Sequence, residues 1–123
     1  KMLFIDPESR TPVFEQIKEQ IIFLVQKGVY SENDRLPSIR ALAGELSLNV
    51  NTVKRAFNEL ENEGIVYSRQ GMGVFIARGA KENEAVKQKA LSDLKDALYC
   101  AKGKGLTEAE AVEAVKALYE NDR

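Results

Sequence analysis

The sequence predicts a mostly helical chain that carries one small β-hairpin near its middle. Two observations support this fold class. Apolar residues recur at three- and four-residue spacing through most of the chain, as they do along one face of a helix. Residues 65–77 are instead rich in β-branched and aromatic residues and contain glycines at their centre, which is typical of a hairpin.

The composition is that of a folded protein. Of the 123 residues, 44% are hydrophobic and 30% are charged, and the net charge is −1. Such a composition is typical of a globular domain, here with an extension, rather than of a disordered chain. No apolar run approaches the ~20 residues that a bilayer-crossing helix needs, so we expect a cytoplasmic protein with no signal peptide and no membrane partner.

Missing residue types exclude several kinds of site. The chain has no histidine and a single cysteine, Cys100. We therefore expect no metal site, no internal disulfide and no cofactor, and the absence of histidine argues against an enzyme. Cys100 is expected to be a small apolar filler rather than a redox sensor. Because the net charge is close to zero, only the placement of charges can indicate a nucleic-acid partner.

The first two helices are indicated by their terminal residues. Thr11 is predicted to cap the first helix, with Pro12 at the first helical position, and Gly28 suits the position that ends it. After a polar turn at residues 31–34, Ser38 is predicted to cap a second helix of about two turns.

The third helix and the hairpin complete one domain. Asn51 is predicted to cap the third helix, and Gly64 is predicted to end it. Residues 65–68 and 74–77 then form two strands around a tip that contains Gly71 and Gly73. Three helices followed by a hairpin describe a winged helix-turn-helix, in which the hairpin is the wing. We expect this domain to span residues 1–79.

Residues 80–123 are predicted to form a tail of two helices, a C-terminal helical hairpin. The first covers residues 81–102, and the second begins at Thr107, which forms a capping-box pattern with Glu110. Two helices of this size cannot bury both of their faces, so we expect the tail to form a homodimer. The residues expected at the dimer interface are Leu91, Leu94, Leu98, Val112, Val115, Leu118 and Tyr119.

The outer face of the third helix suits DNA. At 100° per residue, four polar side chains fall opposite its apolar face, and no acidic residue occurs at positions 47–57. Amide and cationic groups can hydrogen-bond to base edges and neutralise phosphates in a major groove. These four residues are Asn51, Lys54, Arg55 and Asn58.

Two further segments are expected to approach the DNA backbone. Arg35, Ser38 and Arg40 lie before and within the second helix, the element that crosses the backbone in such motifs. At the wing tip, Arg69 and the residues after it bring a cation, an amide and glycines close together. The expected contacts there are Arg69, Gln70 and Gly71, although the glycines could serve only to close the hairpin.

Four motifs in order resemble the GntR family of transcription regulators. They are residues 35–43 (RLPSIRALA), 51–56 (NTVKRA), 60–65 (LENEGI) and 71–75 (GMGVF). The resemblance spans about residues 10–78. The short helical tail is similar to that of the YtrA subfamily, in which two C-terminal helices mediate dimerisation.

The resemblance implies DNA contacts from Arg40, from Gln70 and Gly71, and from residues around the start of the third helix. Arg35 and Ser38 occupy the motif before the second helix. At Val50 the chain departs from the family, which frequently has a polar or cationic residue there, so a contact at Val50 would be apolar, to a thymine methyl. The residues implied around the third helix are Asn49, Val50, Asn51, Thr52 and Lys54.

Together these features predict a sequence-specific, double-stranded DNA-binding transcription regulator. We expect a repressor that acts as a homodimer on a roughly palindromic operator, because twofold symmetry pairs two half-sites. Nothing in the sequence indicates a small-molecule effector. The alternative is a winged-helix module that binds another protein, which would favour an apolar outer face on the third helix.

Overall fold

The computed structural model describes residues 3–121, which fall into two compact units that divide between Asn83 and Glu84. The predicted fold class, helical with one antiparallel hairpin, is confirmed. The N-terminal unit contains α1 (Val13–Gln26), α2 (Ile39–Leu46), α3 (Val50–Asn62), β1 (Val66–Arg69), β2 (Gly73–Ile76) and a short 3-10 turn (Ala80–Glu82). The tail unit contains α4 (Glu84–Gly103) and α5 (Glu108–Glu120).

The core of the N-terminal unit forms where α3 packs against α1 and α2. Because apolar residues recur every three or four positions in α3, its inner face is continuous and buried. Burial of each large aliphatic side chain stabilises the fold by about 1.5–3 kcal/mol. The largest fully buried side chains are Ile17, Ile21, Leu42, Val53, Leu60, Ile65 and Ile76.

The start of α1 differs from the prediction. The N-cap is Pro12, whose ψ of 149° keeps it outside the helix, and it makes no side-chain cap. The prediction that Thr11 caps α1 is therefore wrong. The carboxamide of Gln16 instead donates to the carbonyls of Thr11 (2.9 Å) and Asp6 (3.0 Å) and accepts from the Asp6 amide (2.9 Å). This side chain ties the preceding segment to the helix.

The ends of α1 and α3 share one geometry. At Gly28, φ is +80°, and the next amide, of Val29, donates to the Leu24 carbonyl at 2.9 Å. At Gly64, φ is +82°, and the Ile65 amide donates to the carbonyl four positions before Gly64 at 2.9 Å. Glycine adopts this left-handed conformation without steric cost, so both predicted helix ends are confirmed.

The start of α3 also corrects the prediction. The N-cap is Asn49, not Asn51, and its side chain accepts a hydrogen bond from the Asn51 amide at 2.7 Å. The left-handed conformation of Ser47 (φ 57°) ends α2 early enough for Asn49 to take this position. As a result, Asn51 lies in the first turn of α3, and its own side chain is not used for capping.

A short segment before α2 also pairs with one strand of the hairpin. β1 and β2 pair antiparallel, with Tyr67 opposite Phe75 and their rings stacked at 5.5 Å. On the other edge of β2, the Leu36 amide donates to Val74 at 2.8 Å, and Arg35 lies opposite Phe75. The segment before α2, which the sequence predicts as a turn and a loop, is thereby joined to the wing.

In the tail unit, α4 begins three residues later than predicted, because residues 80–82 form the 3-10 turn that packs against α1. The predicted capping box at the start of α5 is confirmed. The Glu110 amide donates to the Thr107 hydroxyl at 3.2 Å, and the Glu110 carboxylate accepts from the Thr107 amide at 2.9 Å. These hydrogen bonds, first that of the amide and then that of the hydroxyl, lower the pKa of Glu110. No residue of α4 or of α5 is buried.

Candidate nucleic-acid interface

One face of α3 presents polar side chains to solvent. Asn51, Lys54 and Asn58 are exposed and follow one another at helical spacing. Thr52 lies beside them and is half-buried, and Val50 is an apolar residue with 44% of its surface exposed at the start of the helix. The predicted reading residues of this helix therefore lie together on one accessible face.

The N-termini of α2 and α3 are both suited to bind anions. Neither helix has an acidic residue in its first turn, so the partial positive charge of each end is not neutralised locally. Ser38 caps α2, as predicted, by accepting from the Ala41 amide at 3.0 Å, and Arg40 is exposed in the first turn of this helix. Asn49 caps α3. A phosphate placed near either end would meet backbone amides and a hydroxyl or amide side chain.

The second half of α3 is anchored by a charge cluster around Lys18, which is only 6% exposed. Its Nζ lies 2.6 Å from Glu63, 2.9 Å from Glu59 and 3.5 Å from Glu15. Burial disfavours the ammonium ion, but the hydrogen bonds to Glu63 and Glu59 outweigh it and hold the pKa of Lys18 above its ordinary value. The hydrogen bonds from Lys18 and Arg55 in turn lower the pKa of Glu59.

Arg55 is held within the protein, unlike Lys54. Its Nε donates to Glu59 at 3.1 Å, and its guanidinium lies over the ring of Phe14, 3.6 Å from the ring centre. Lys54 has no carboxylate within ion-pairing distance among residues 3–121. Of the two predicted cations on this helix, Lys54 is therefore the one that is available to a new anion.

The wing tip is a tight turn of exposed residues. The Met72 amide donates to the Arg69 carbonyl at 2.9 Å, and Gln70 and Gly71 lie between them. Gly71 has a φ of +76°, so the turn itself requires glycine there. A β-carbon at Gly71 would meet nothing within 4 Å, which leaves room for the backbone to approach another molecule.

Sequence reasoning did not identify two features of this surface. Arg35, predicted to act with the start of the second helix, lies on the wing, with its Nε 2.9 Å from the place a β-carbon would take at Gly73. The cluster around Lys18 was also missed. Both depend on contacts between segments far apart in the chain, so the sequence carries no local signal for them.

The predicted interface residues of the tail are exposed in α4 and α5. One of them, Leu98, lines a recess of about 490 Å³ at the α4–α5 turn, together with Leu106 and Ala111 among others. Elsewhere in residues 3–121, no group of acidic or cysteine side chains is arranged to hold a metal ion, and no helix is long and apolar enough to cross a membrane.

Comparison with known proteins places this architecture in a family. Residues 14–76 match the gntR family of bacterial regulatory proteins. The chain is 46% identical to the HTH-type transcriptional repressor YtrA of Bacillus subtilis over 80 residues, which are 65% of this chain and 62% of that relative. It is 34% identical to the uncharacterized HTH-type transcriptional regulator YhcF of the same organism, over 92% of this chain and 94% of the relative.

Solved structures share the fold. A transcriptional antiterminator from Listeria monocytogenes EGD-e superposes with a TM-score of 0.85 at 29% identity, over 99% of this chain and 92% of that one. AraR(DBD) in complex with operator ORX1 superposes with a TM-score of 0.55 at 29% identity, over 63% of this chain and 95% of that one. The exposed face of α3, the wing and these relationships together show that the chain belongs to the GntR family of bacterial regulators and is a winged helix-turn-helix, DNA-binding transcription regulator.

Proposed function

We propose that this regulator is a repressor that binds a palindromic operator as a homodimer. The observation that carries the proposal is the first half of α3, where exposed amide and cationic side chains share one face without a neighbouring carboxylate. The operator complex of AraR(DBD) and the repressor YtrA, both related to this chain, support the assignment. The polar character of this face disfavours a module that binds another protein.

Within α3, the side chains have separate roles. Because Asn49 caps the helix, the side-chain carboxamide of Asn51 is free to make two hydrogen bonds to an adenine edge. Lys54 suits a guanine or a phosphate, and Val50 suits a thymine methyl. Each good base contact is worth about 1–3 kcal/mol of discrimination.

Outside the reading face, Ser38 and Arg40 hold the DNA backbone at the start of α2, and Gln70 and Gly71 reach the groove beside the wing. We assign Arg55 a smaller part, because Glu59 and Phe14 already hold its guanidinium. DNA as the partner also favours a cytoplasmic location, and the proposed role requires no cofactor and no catalytic activity.

A second copy of the chain is the partner that we propose for the tail. The tail presents apolar side chains to solvent along both helices, and water contact with so much apolar surface is unfavourable. Two copies related by a twofold axis would cover these faces and present two copies of α3 to matching half-sites. The exposed apolar residues that support this are Leu91, Leu94, Leu98, Val112, Val115, Leu118 and Tyr119.

The experiment is selection from a randomised duplex pool, followed by fluorescence anisotropy with the selected operator and a scrambled duplex over a range of salt. We expect Lys54→Ala to weaken binding to both duplexes and to lower the salt slope by about 1. Asn51→Ala should relax base preference by roughly 5- to 150-fold. Asn62→Ala, at the far end of α3, is the matched control and should change neither. Equal affinity of the unaltered chain for operator and scrambled DNA would contradict the proposal.

A further inference from the structure

Arg35 lies on the outer face of the wing sheet. It is opposite Phe75 on one side of β2, and Tyr67 is opposite Phe75 on the other. Directly opposed residues of antiparallel strands point to the same face, so these three side chains share it. The stacked rings of Tyr67 and Phe75, and a 2.8 Å hydrogen bond from the Tyr67 hydroxyl to Asn33, give this face a fixed floor.

Arg69 joins the same face from the other strand. It is two residues beyond Tyr67 and lies opposite Gly73 in the register of β1 and β2. Since the Arg35 Nε occupies the space above Gly73, the two arginines flank one glycine. The glycine has a φ of +123° and no side chain, and both properties are needed for this arrangement.

Both arginines are free of carboxylates. They are exposed, and neither forms an ion pair with an acidic residue in the part of the chain from Leu3 to Asn121. The acid next to Arg35 in the chain, and the acid that binds the residue before Arg69, have other partners. Asp34 accepts from the Ser31 amide at 2.7 Å, and Glu61 accepts from the hydroxyl of Ser68 at 2.8 Å. The contrast with Arg55, which is paired with Glu59, indicates a cationic surface kept open for an anion.

We propose that Arg35 and Arg69 form a clamp that binds one phosphate of the DNA backbone beside the wing, with Gly73 as the seat that lets Arg35 reach it. The proposal rests on the proposed function and extends it. It moves Arg35 from the group at α2 to the wing. Guanidinium groups bind phosphate oxygens through two parallel hydrogen bonds, which lysine cannot reproduce.

The first test removes the arginines from the full chain bound to the selected operator. We expect Arg35→Gln and Arg69→Gln each to weaken binding about tenfold, and Arg35→Lys to recover only part of the loss. Because both residues would serve one phosphate, the double variant should lose far less than the hundredfold that two independent contacts predict. Arg10→Gln, an exposed arginine outside the wing, is the matched control.

The second measurement locates the phosphate. Methylphosphonate substitution neutralises one phosphate at a time along the operator. In the unaltered chain we expect one position beside the wing to weaken binding, and in Arg35→Gln or Arg69→Gln that position should become silent while the others remain. An unchanged profile in both variants would overturn the clamp, as would losses that multiply independently. The clamp would also be overturned if the loss of binding in Arg69→Gln depended on the identity of nearby base pairs and no phosphate beside the wing were sensitive to substitution.

The third measurement tests the seat. Gly73→Ala should weaken binding strongly in the unaltered chain and much less in an Arg35→Ala background, where no guanidinium has to be displaced. Gly28→Ala, outside the wing, is the control, because its φ is also positive but its surroundings are empty. Equal losses from Gly73→Ala in both backgrounds would show that this glycine serves only the turn.

Failure of the clamp is distinguishable from failure of the proposed function. If Lys54→Ala weakens operator binding while Arg35→Gln does not, the clamp alone is wrong. If the unaltered chain shows no salt-dependent preference for its selected operator, both proposals are wrong.

Discussion

The two units of this chain are ordered in different ways. In the N-terminal unit, side chains such as Ile17 and Leu60 have no exposed surface, and they come from helices far apart in the sequence. In α4 and α5, no residue is buried, and Leu94 and Leu98 remain 48% and 38% exposed. The comparison indicates that the N-terminal unit contains its own stabilising interior, whereas the tail depends on a surface that it does not itself provide.

The polar interactions differ in the same way. Lys18 in α1 binds Glu59 in α3 and Glu63 just after it, and so joins two helices across the core. Among the described residues of the tail, ion pairing is local, as between Lys89 and Asp93 one turn apart. Such local pairs contribute about 0.2–0.5 kcal/mol, and an isolated helix of the length of α5, 13 residues, is marginal in water. Local ion pairs alone therefore cannot explain a stable tail.

The largest expected effect is on the free energy of unfolding, and the same leucine-to-alanine substitution made in each unit should change it very differently. Leu60→Ala should destabilise the N-terminal unit by about 2–5 kcal/mol, because it leaves a cavity in a closed core. Leu98→Ala, the same change at an exposed site, should leave that unfolding transition nearly unchanged and should instead weaken self-association. Urea unfolding measures the first effect, and sedimentation at several protein concentrations measures the second.

The outcome of this pair decides the comparison. A loss of stability in Leu98→Ala equal to that in Leu60→Ala would show that the tail shares the interior of the N-terminal unit. A chain that sediments as a monomer at every concentration would show that no second copy covers the tail.

A smaller effect is expected from the charge cluster around Lys18 in the N-terminal unit. Lys18→Met should destabilise it by about 1–3 kcal/mol, because Glu59 and Glu63 lose their shared cation; both are about one-third exposed, which limits the loss. The pKa of Glu59 is lowered from 4.5, so its contribution is present above pH 4.5 and is lost as the pH falls through the folded-state value.

The contribution of Lys18 to stability changes with pH in the opposite direction. Its pKa is raised from 10.5, so its contribution is present below pH 10.5 and is lost as the pH rises through the folded-state value. Urea midpoints across the pH range should therefore fall more steeply at both ends in the unaltered chain than in Lys18→Met. Parallel curves for the two proteins would mean that the cluster does not stabilise the unit.

The smallest expected effects come from helix caps, one in each unit. Ser38→Ala and Thr107→Ala each remove a side chain that accepts a hydrogen bond at a helix start, at a cost of about 1 kcal/mol. Ser38→Ala should lower the urea midpoint, whereas Thr107→Ala should reduce the helical circular dichroism most at low protein concentration. Ser92→Ala, within α4, is the control and should be neutral or slightly stabilising. If Thr107→Ala reduced the helical circular dichroism equally at every protein concentration, the folding of α5 would not be coupled to self-association.

Local sequence pattern was sufficient for the elements but not for their junctions. The hydrophobic spacing of α3, the ends at Gly28 and Gly64, and the caps at Ser38 and Thr107 all depend on neighbours within a turn or two, and all are confirmed. Where two residues could take the same role, the pattern did not decide.

The helix start at α3 illustrates this limit. Asn49 and Asn51 are both good caps, and the choice depends on the left-handed turn at Ser47, which the local pattern does not specify. At α1, the competing contact comes from Gln16, which binds the Thr11 carbonyl from inside the helix. Both errors arise where tertiary geometry or a side chain overrides a statistical preference for a cap.

The local sequence pattern could not predict contacts between segments that are distant in the chain. Lys18 and its partners are more than forty residues apart, and the pairing of Leu36 with Val74 joins segments on either side of two helices. The DNA-contact roles of individual residues stay predictions, although the structure places most of them on accessible surfaces. For Arg35 and Arg55, the residues around each side chain in the structure, rather than the residue type, change the role in DNA binding that we assign to it.

The anchoring of α3 by its second half has a consequence for how such regulators diverge. Leu60 and Glu63 secure the helix, and the side chain of Asn83 donates to the Glu63 carbonyl at 2.7 Å, while Asn51 and Lys54 contribute to none of these contacts. Substitutions of exposed residues such as Asn51 and Lys54 can therefore accumulate without loss of folding. After gene duplication, one copy could acquire a new operator through a few such changes, and the same separation makes this helix a practical starting point for redesigned specificity.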